Sequence, residues 1–212
     1  TPKEPFSELV FVTTVGATVR GVKLSKVTEG EIKELYSLWL THALLIFPDQ
    51  HLSTIEQIEF AKLFGVMEFD LAPISNVRSD GSIRDPVDDD VVKSLRGNME
   101  WHHDSTYMPI QAKGSVFTAH QVPEEGGETG WADMTAAYKA LDPKMKDKIE
   151  GLNAYHSYVY SQAKYKHKPQ EESEFSGYGF DVDPHPFRPL VKTHPETGRK
   201  SLLIGRHAYG IP

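Results

Sequence analysis

One ten-residue segment carries side chains that could bind a metal ion. Residues 98–107 read NMEWHHDSTY, with an imidazole at His102 and a carboxylate at Asp104. On a strand, side chains two residues apart point to the same face, so His102 and Asp104 would converge while Trp101 and His103 would face away. One histidine and one carboxylate are two corners of the facial triad that holds Fe(II) and leaves positions open for oxygen and a co-substrate. Such a site requires a third ligand, a histidine from elsewhere.

The same pair has simpler interpretations. A lone His-x-Asp sequence is common as a surface pair or as a hydrogen-bonded histidine, so its spacing alone does not establish a metal site. Around zinc, these ligands would instead serve a hydrolase that activates water. A jelly-roll binding module that has lost its second histidine is a third, non-enzymatic interpretation.

Composition narrows the chemistry and the partners. The 212 residues include no cysteine, which excludes disulfides, iron–sulfur clusters and thiol nucleophiles. The formal net charge of −7, without a long Lys/Arg cluster, argues against nucleic acid as the main partner. No apolar run is long enough to span a bilayer, and the opening TPKEPFSELV does not resemble a signal peptide. We therefore expect a cytoplasmic protein, without membrane contact, that acts on a small molecule. We also expect a homo-oligomer.

Local patterns predict the elements that precede the metal-binding segment. The β-rich pieces of residues 8–24 indicate a short hairpin. Thr28-Glu29-Gly30-Glu31 has the form of a capping box and predicts a helix, since apolar residues follow at helical spacing. Residues 43–47 read as a buried strand, and Ser53 opens a second helix that ends near Gly65.

Long loops are predicted on both sides of the central part of the chain. The polar, acidic residues 79–97 predict an exposed loop that is mobile and closes over the pocket as a lid. Residues 163–188, rich in Lys, Glu, His, Pro and aromatics without periodicity, predict another.

Strands and helices alternate irregularly between these loops. Residues 98–107 and 114–122 read as strands. A helix is predicted over residues 133–141, and a second is capped by Asp142, has Pro143 at its first position and ends before Gly151. Short strands with few helices predict one domain over residues 1–212 that is mainly β with flanking helices, rather than an alternating βαβ fold.

Four blocks, in order, resemble the TauD/TfdA family of taurine and aryloxyalkanoate dioxygenases, which use Fe(II) and 2-oxoglutarate. They are LTHALLIFPDQHLS at 40–53, NMEWHHDSTYMP at 98–109, VPEEGGETGWADMTAAYKAL at 122–141 and RPLVKTHPETGRKSLLIGRHA at 188–208. The second and fourth blocks look closest to the phenoxypropionate-cleaving branch. The likeness covers nearly the whole chain and implies a double-stranded β-helix, or jelly roll.

The resemblance implies roles for particular residues. It makes His102 and Asp104 metal ligands, and it makes the Thr129 hydroxyl a donor to the chain carboxylate of 2-oxoglutarate. Asn98 matches a position that lines the substrate pocket in relatives, and Ser75 is a further candidate substrate contact. Without the resemblance, Thr129 would be an ordinary strand threonine after a tight turn, and Asn98 an ordinary asparagine at a turn or strand end.

The resemblance also implies residues that this sequence lacks. Relatives continue with a Trp-Asp-Asn-Arg block that brings the second ligand histidine, followed by an arginine that pairs with 2-oxoglutarate. We expect both beyond residue 212, with the C-terminal part of the jelly roll, so that residues 1–212 alone should bind iron poorly and be inactive. The histidines that follow His103 in the chain do not sit in such a block: His120, His156, His167, His185, His194 and His207.

The implied reaction consumes O2 and 2-oxoglutarate, releases succinate and CO2, and hydroxylates a small anionic substrate. Where the hydroxylated carbon bears an ether oxygen, the resulting hemiketal falls apart to a phenol and a keto acid. A carboxylate substrate requires a fixed cation such as the planar fork of arginine. Arg78 and Arg206 are the candidates, and Arg206 is favoured because its block resembles the phenoxypropionate branch. Taurine- or alkylsulfonate-type and purine-type oxygenation are the alternatives within the family.

Overall fold

The computed structural model describes residues 8–11, 14–165 and 183–212. The chain divides into two compact units. The first comprises Thr1–Leu71, Gly114–Ala136 and His194–Arg199. The second comprises Ala72–Lys113, Ala137–Thr193 and Lys200–Pro212.

The first unit contains one three-stranded sheet. Strands β1 (Glu8–Phe11) and β2 (Ala17–Arg20) pair antiparallel, which confirms the predicted hairpin. Strand β3 (Leu45–Ile46) joins β2 in parallel, inside the segment predicted as a buried strand.

Two helices in the described part of this unit have well-formed N-termini. Helix α1 (Glu29–His42) begins with a reciprocal capping box between Thr28 and Glu31, as predicted. Helix α2 (Thr54–Lys62) begins with the same arrangement between Ser53 and Glu56. Each box satisfies backbone N–H groups that a helix start would otherwise leave unpaired. The core beneath them is aliphatic and aromatic: Val19, Val22, Leu24, Leu35, Leu52 and Phe60.

Three helices lie within the second unit. They are α3 (Asp90–Gly97), α5 (Pro143–Ile149) and α6 (Tyr158–Ala163), while α4 (Met134–Ala140) crosses the boundary between the units. Helices α4 and α5 lie where they were predicted, and Asp142 caps α5 through the Met145 N–H.

The strands of the second unit are short and antiparallel. One sheet has the order β5 (Phe187–Pro189), β4 (Asn153–His156) and β8 (Ala208–Tyr209). Strands β6 (Val191–Thr193) and β7 (Lys200–Leu202) form a separate pair. Residues 166–182, most of the second predicted loop, lie outside the described residues.

Three secondary-structure predictions are wrong, two of them around the candidate site. The predicted loop 79–97 ends in helix α3, because the Asp89 carboxylate accepts the N–H groups of Val91 and Val92 and so caps a helix start. The predicted strand at 98–107 is a series of turns, with Ser105 in the left-handed region at φ 56°. The predicted strand at 114–122 is likewise irregular.

The remainder of the predicted lid is held by its own contacts. Val77 and Ile83 form an antiparallel bridge, and Asp85 caps the turn at Val87 and Asp88. The described residues as a whole are mixed, with more helix than strand, rather than mainly β. None of their helices is both long and apolar enough to cross a membrane.

Candidate metal centre

His102 and Asp104 converge although they do not lie on a strand. The His102 Nε2 atom is 3.1 Å from Asp104 Oδ1. The other ring nitrogen, Nδ1, is 2.7 Å from the Glu100 carbonyl oxygen. A carbonyl can only accept, so Nδ1 carries the proton and Nε2 holds a lone pair. A lone pair and a carboxylate oxygen therefore face each other.

That description holds for the neutral ring; in the protonated ring Nε2 donates a hydrogen bond to Asp104, and a metal ion between the two atoms would take the place of that proton. The hydrogen bond with Asp104 raises the pKa of His102, against the opposing effect of burial, so the pair attracts a proton when it holds no other cation. Metal bonds of about 2.1 Å that meet at a right angle would separate their two ligand atoms by about 3.0 Å. The observed separation of 3.1 Å fits two adjacent ligands of one metal ion.

The donor set suits iron but is incomplete. A nitrogen from histidine and an oxygen from a carboxylate are two of the three ligands of a facial triad with open positions. Within the described part of the chain, no group of three or more His, Asp or Glu side chains is placed to hold a metal ion. As metal ligands, His102 and Asp104 would need a third donor.

The turn after Asp104 is fixed by Arg188 on β5. The Arg188 guanidinium donates to the carbonyl oxygens of Thr106 and Met108, which lie 82 and 80 residues earlier in the chain. Thr106 itself is fully buried. These bonds satisfy carbonyl groups that a strand would have paired within a sheet, so the ligand segment is held as a turn by a side chain.

The backbone of residues 205–206 supports the ligand segment closely. The Arg206 N–H donates to the Trp101 carbonyl at 3.0 Å. A Cβ atom at Gly205 would lie 3.0 Å from His102 Cα and 3.2 Å from the Trp101 carbonyl oxygen. Only a glycine allows this approach without displacing the backbone at His102.

His207 packs against the ring of His102. The two ring centroids are 5.3 Å apart, and the Tyr107 ring lies 4.8 Å from His207. The Ser161 hydroxyl donates to the Tyr158 carbonyl and therefore accepts from His207 Nδ1 at 2.8 Å. Burial lowers the pKa of His207 to about 2, so its ring is neutral beside the candidate ligand.

The predicted substrate residues Asn98 and Ser75 occupy different surroundings. Asn98 is the C-cap of α3, and its Oδ1 accepts a hydrogen bond of 3.1 Å from Gln162 Nε2. Ser75 is partly buried and its hydroxyl bonds to the backbone of Val77. The substrate role of each residue stays a prediction.

The two candidate arginines are also placed differently. Arg78 pairs with Asp89, at the N-terminus of α3. Arg206 is only 4% exposed, donates from Nη2 to the Ser161 carbonyl and lies over the Tyr165 ring. Its Nε and Nη1 groups are buried with no hydrogen-bond partner among the described residues. Buried donors without acceptors are unusual, so Arg206 is the arginine with capacity left for an anion.

Thr129 belongs to the first unit, whereas the other predicted site residues belong to the second. It is exposed, in a segment without regular secondary structure. Its role towards 2-oxoglutarate stays a prediction.

Sequence reasoning missed several residues that shape this centre. Glu100 contributes only its carbonyl, and Gly205 and Arg188 act on backbone atoms far away in the sequence. A backbone contact leaves no signal in residue type. The one available signal was the glycine at 205, beside an arginine and a histidine.

Comparisons with known proteins place the chain in a family. The sequence model of the taurine catabolism dioxygenase TauD, TfdA family matches residues 5–212. The chain belongs to this family. It is thus an enzyme of the dioxygenase type, as the four sequence blocks implied.

Individual relatives cover most of the chain. An (S)-phenoxypropionate/alpha-ketoglutarate-dioxygenase of Sphingobium herbicidovorans is 58% identical over 201 residues, which span 94% of this chain and 70% of that protein. A protein of the same name from Delftia acidovorans is 53% identical, with the same coverage of 94% and 70%. Among solved structures, the crystal structure of AAD-2 in complex with Mn(II) and N-oxalylglycine is similar, with 34% sequence identity to this chain. The structural match has a TM-score of 0.82 and covers 96% of this chain and 74% of that one.

Proposed function

We propose that this TauD/TfdA-family enzyme uses Fe(II), O2 and 2-oxoglutarate to cleave the ether bond of an aryloxypropionate. The observation that carries the proposal is the 3.1 Å separation of His102 Nε2 and Asp104 Oδ1, which fits two adjacent ligands of one metal ion. The identities of 58% and 53% to two (S)-phenoxypropionate/alpha-ketoglutarate-dioxygenases support the substrate class.

The reaction balances without a further reductant. When bound, iron and 2-oxoglutarate supply the oxidising power, since 2-oxoglutarate loses CO2 and becomes succinate as O2 is consumed. One oxygen atom enters succinate and the other enters the C–H bond beside the ether oxygen of the substrate. The hemiketal formed in this way breaks its C–O bond and releases a phenol and a keto acid.

His102 and Asp104 would hold the iron on one side. The Glu100 carbonyl keeps the proton on His102 Nδ1, so that Nε2 stays available as a ligand. Thr129 would donate its hydroxyl to the chain carboxylate of 2-oxoglutarate. We further propose that residues 1–212 form one jelly-roll oxygenase domain with sequence beyond them, which would bring the third ligand and the arginine for 2-oxoglutarate.

Arg206 would bind the substrate carboxylate. Its Nε and Nη1 groups lack acceptors, and the two oxygens of a carboxylate match a pair of guanidinium N–H groups. The Tyr165 ring, 44% exposed, covers the guanidinium and would have to move aside. Asn98 and Ser75 would add contacts to the substrate. A cytoplasmic location and a homo-oligomeric state stay predictions.

A substrate panel tests this function. The enzyme is supplied with Fe(II), ascorbate and 2-oxoglutarate, and succinate and phenol are measured with (S)- and (R)-2-phenoxypropionate, taurine, an alkylsulfonate and a purine. We expect succinate and phenol in equal amounts with a phenoxypropionate. Succinate released only with a sulfonate or a purine would make the substrate class wrong and leave the enzyme class intact.

Arg206→Lys tests the carboxylate contact. Lysine keeps the charge but loses the two-point geometry, so KM for phenoxypropionate should rise about tenfold while KM for 2-oxoglutarate stays unchanged. The control is Arg199→Lys, because Arg199 donates to the carbonyls of Leu40 and Thr41 at the end of α1. An unchanged KM in Arg206→Lys would remove Arg206 from the substrate site.

A further inference from the structure

A buried polar cluster joins helices α3 and α6 next to the candidate substrate residue Asn98. Gln162, on α6, has no exposed surface. Its Nε2 donates to the Ser94 carbonyl at 3.3 Å and to Asn98 Oδ1 at 3.1 Å. The Tyr158 hydroxyl lies close to the side chains of the same three residues. A side chain buried to this extent adopts one orientation, so its contacts fix their partners.

The chemistry of these contacts determines which way the Asn98 amide points. The Ser94 carbonyl can only accept, so the Gln162 atom that faces it is the nitrogen. The same nitrogen faces Asn98, whose contacting atom must then be the oxygen. The Asn98 NH2 group therefore remains to serve another acceptor. It carries two protons, and the nearby Tyr158 hydroxyl makes no hydrogen bond with any described residue.

The glycine at position 97 leaves room for the side chain of Gln162 against the end of α3. A Cβ atom at position 97 would lie 2.0 Å from Gln162 Oε1, which is impossible without displacing the buried amide. Gly97 is the last residue of α3 and is not among the residues with positive φ. Glycine is about 1 kcal/mol less favourable than alanine inside a helix. The close approach of the Gln162 side chain explains why glycine occupies this position.

We infer that Gln162 is a positioning residue for substrate selection, because it turns the Asn98 NH2 group towards an oxygen of the bound substrate. The inference rests on the proposed function, in which Asn98 contacts the substrate. Gln162 does not itself touch the substrate. Its effect passes through one hydrogen bond, to Asn98 Oδ1.

A double-mutant cycle tests the inference in the Fe(II)-loaded enzyme with (S)-2-phenoxypropionate. Gln162→Met keeps the length of the side chain and removes both donors. It should raise KM about two- to tenfold, the range expected for one lost hydrogen bond, with KM for 2-oxoglutarate unchanged. Asn98→Ala should raise KM by at least as much. In the Asn98→Ala background, Gln162→Met should add nothing further.

Two further variants separate positioning from a general loss of packing. Gln57→Met is the matched control, since Gln57 is also a buried glutamine and donates from Nε2 to the Val116 carbonyl. It should lower the unfolding midpoint without changing KM. Asn98→Asp keeps the acceptor for Gln162 and replaces the NH2 group, so it should raise KM even if Gln162→Met does not fold.

The remaining outcomes distinguish failure of the positioning role of Gln162 from failure of the proposed function. An equal rise in KM from Gln162→Met in both backgrounds, or no rise when Asn98→Ala gives one, overturns the positioning role. An unchanged KM in both Asn98→Ala and Asn98→Asp overturns it as well, and leaves the proposed reaction intact. If the unsubstituted enzyme releases no succinate with phenoxypropionate, the proposed function fails and the inference fails with it.

Discussion

The contacts that hold the two candidate ligands in place mainly involve backbone atoms. The Glu100 carbonyl orients the His102 ring, Arg188 fixes the turn after Asp104, and Gly205 lies against the backbone of His102. Such contacts set the position of a metal ligand to a fraction of an ångström. At this scale, a change that affects one ligand atom should therefore be separable from a change that affects its support.

Asp104→Ala removes one of the two described donors. We expect the dissociation constant for Mn(II), measured by calorimetry, to rise more than about 100-fold, above the range for loss of a supporting residue. Succinate production should fall with it, while the unfolding midpoint without metal changes little.

His103→Ala is the control for this experiment. His103 adjoins both ligands in sequence, but it is not part of the 3.1 Å pair, so its loss should weaken Mn(II) binding less than about tenfold. Equal damage from both substitutions would mean that Asp104 acts on structure rather than as a ligand.

Gly205→Ala should weaken metal binding without removing any ligand. Its Cβ would lie 3.0 Å from His102 Cα, and the backbone there would have to shift by a few tenths of an ångström. Overpacking of this kind costs about 1 to 3 kcal/mol of stability, and we expect roughly a tenfold loss of Mn(II) affinity.

Gly30→Ala provides the comparison. Gly30 lies in α1 with open space where its Cβ would be, so alanine should stabilise the protein by up to about 1 kcal/mol and leave Mn(II) affinity unchanged. If Gly205→Ala also left the Mn(II) affinity unchanged, the ligand segment would accommodate the added methyl group without any effect on metal binding.

Among the elements, three helices whose side-chain caps precede good helix formers were predictable. The capping boxes at Thr28 and Ser53 and the Asp142-Pro143 start each combine a cap with good helix formers, and all three helices are present. Helix α3 was missed because the acidic residues before it resemble a solvated loop. Its signal was the spacing of Val91, Ser94 and Gly97, which form its buried face.

The candidate site was proposed from residue types, and its geometry differs from the predicted one. His102 and Asp104 were identified from their chemistry and from the family resemblance, whereas the strand that was to align them does not exist. Gln162 could not be identified, because it meets Asn98 across 64 residues of sequence. Contacts of that kind depend on how α3 and α6 pack together, and the sequence of either helix alone does not determine this packing.

Asp89→Ala should destabilise α3 and the preceding loop together. Asp89 caps the helix through Val91 and Val92, and its other carboxylate oxygen pairs with Arg78 and with Arg84, whose side chain is only 9% exposed. Loss of a cap costs about 1 kcal/mol and loss of a partner for a buried charged group about 1 to 3 kcal/mol more. Urea denaturation at pH 7 measures the sum.

Asp89→Asn separates the two effects. Asparagine caps helices as well as aspartate does, so this variant should lose the ion-pair contribution and keep the cap. If Asp89→Asn and Asp89→Ala were equally unstable, the cap would contribute nothing measurable.

For the molecule as a whole, the two units differ in what they bury. The core of the first unit is aliphatic and aromatic, whereas many of the fully buried side chains of the second are polar: Ser94, Thr106, His156, Ser157, Ser161 and Gln162. The second unit also holds the candidate ligands. Polar groups in a core are tolerated only in the protonation state that their surroundings accept. The stability of the chain should therefore depend on pH through the second unit.

His156 is the group through which acid should act. It is 1% exposed, neither ring nitrogen has a hydrogen-bond partner among the described residues, and burial lowers its pKa to about 4. The unfolded chain has a histidine pKa of about 6.5 and so binds the proton first as the pH falls. The stability due to neutral His156 is fully present above pH 6.5 and is lost progressively between pH 6.5 and pH 4.

Between pH 7.5 and pH 5.0 the free energy of unfolding should fall by about 2 kcal/mol because of His156. Urea denaturation at the two pH values measures this fall, and His156→Leu should remove the part due to His156. The variant should be no less stable at pH 7.5, because leucine has a similar volume and leaves no buried polar atom. His207, with a pKa lowered to about 2, contributes in the same direction in both proteins, so some acid sensitivity remains. His120→Leu, at an exposed position, is the control and should leave the difference unchanged. A pH difference as large in His156→Leu as in the unsubstituted protein would exclude His156 as the acid-sensitive group.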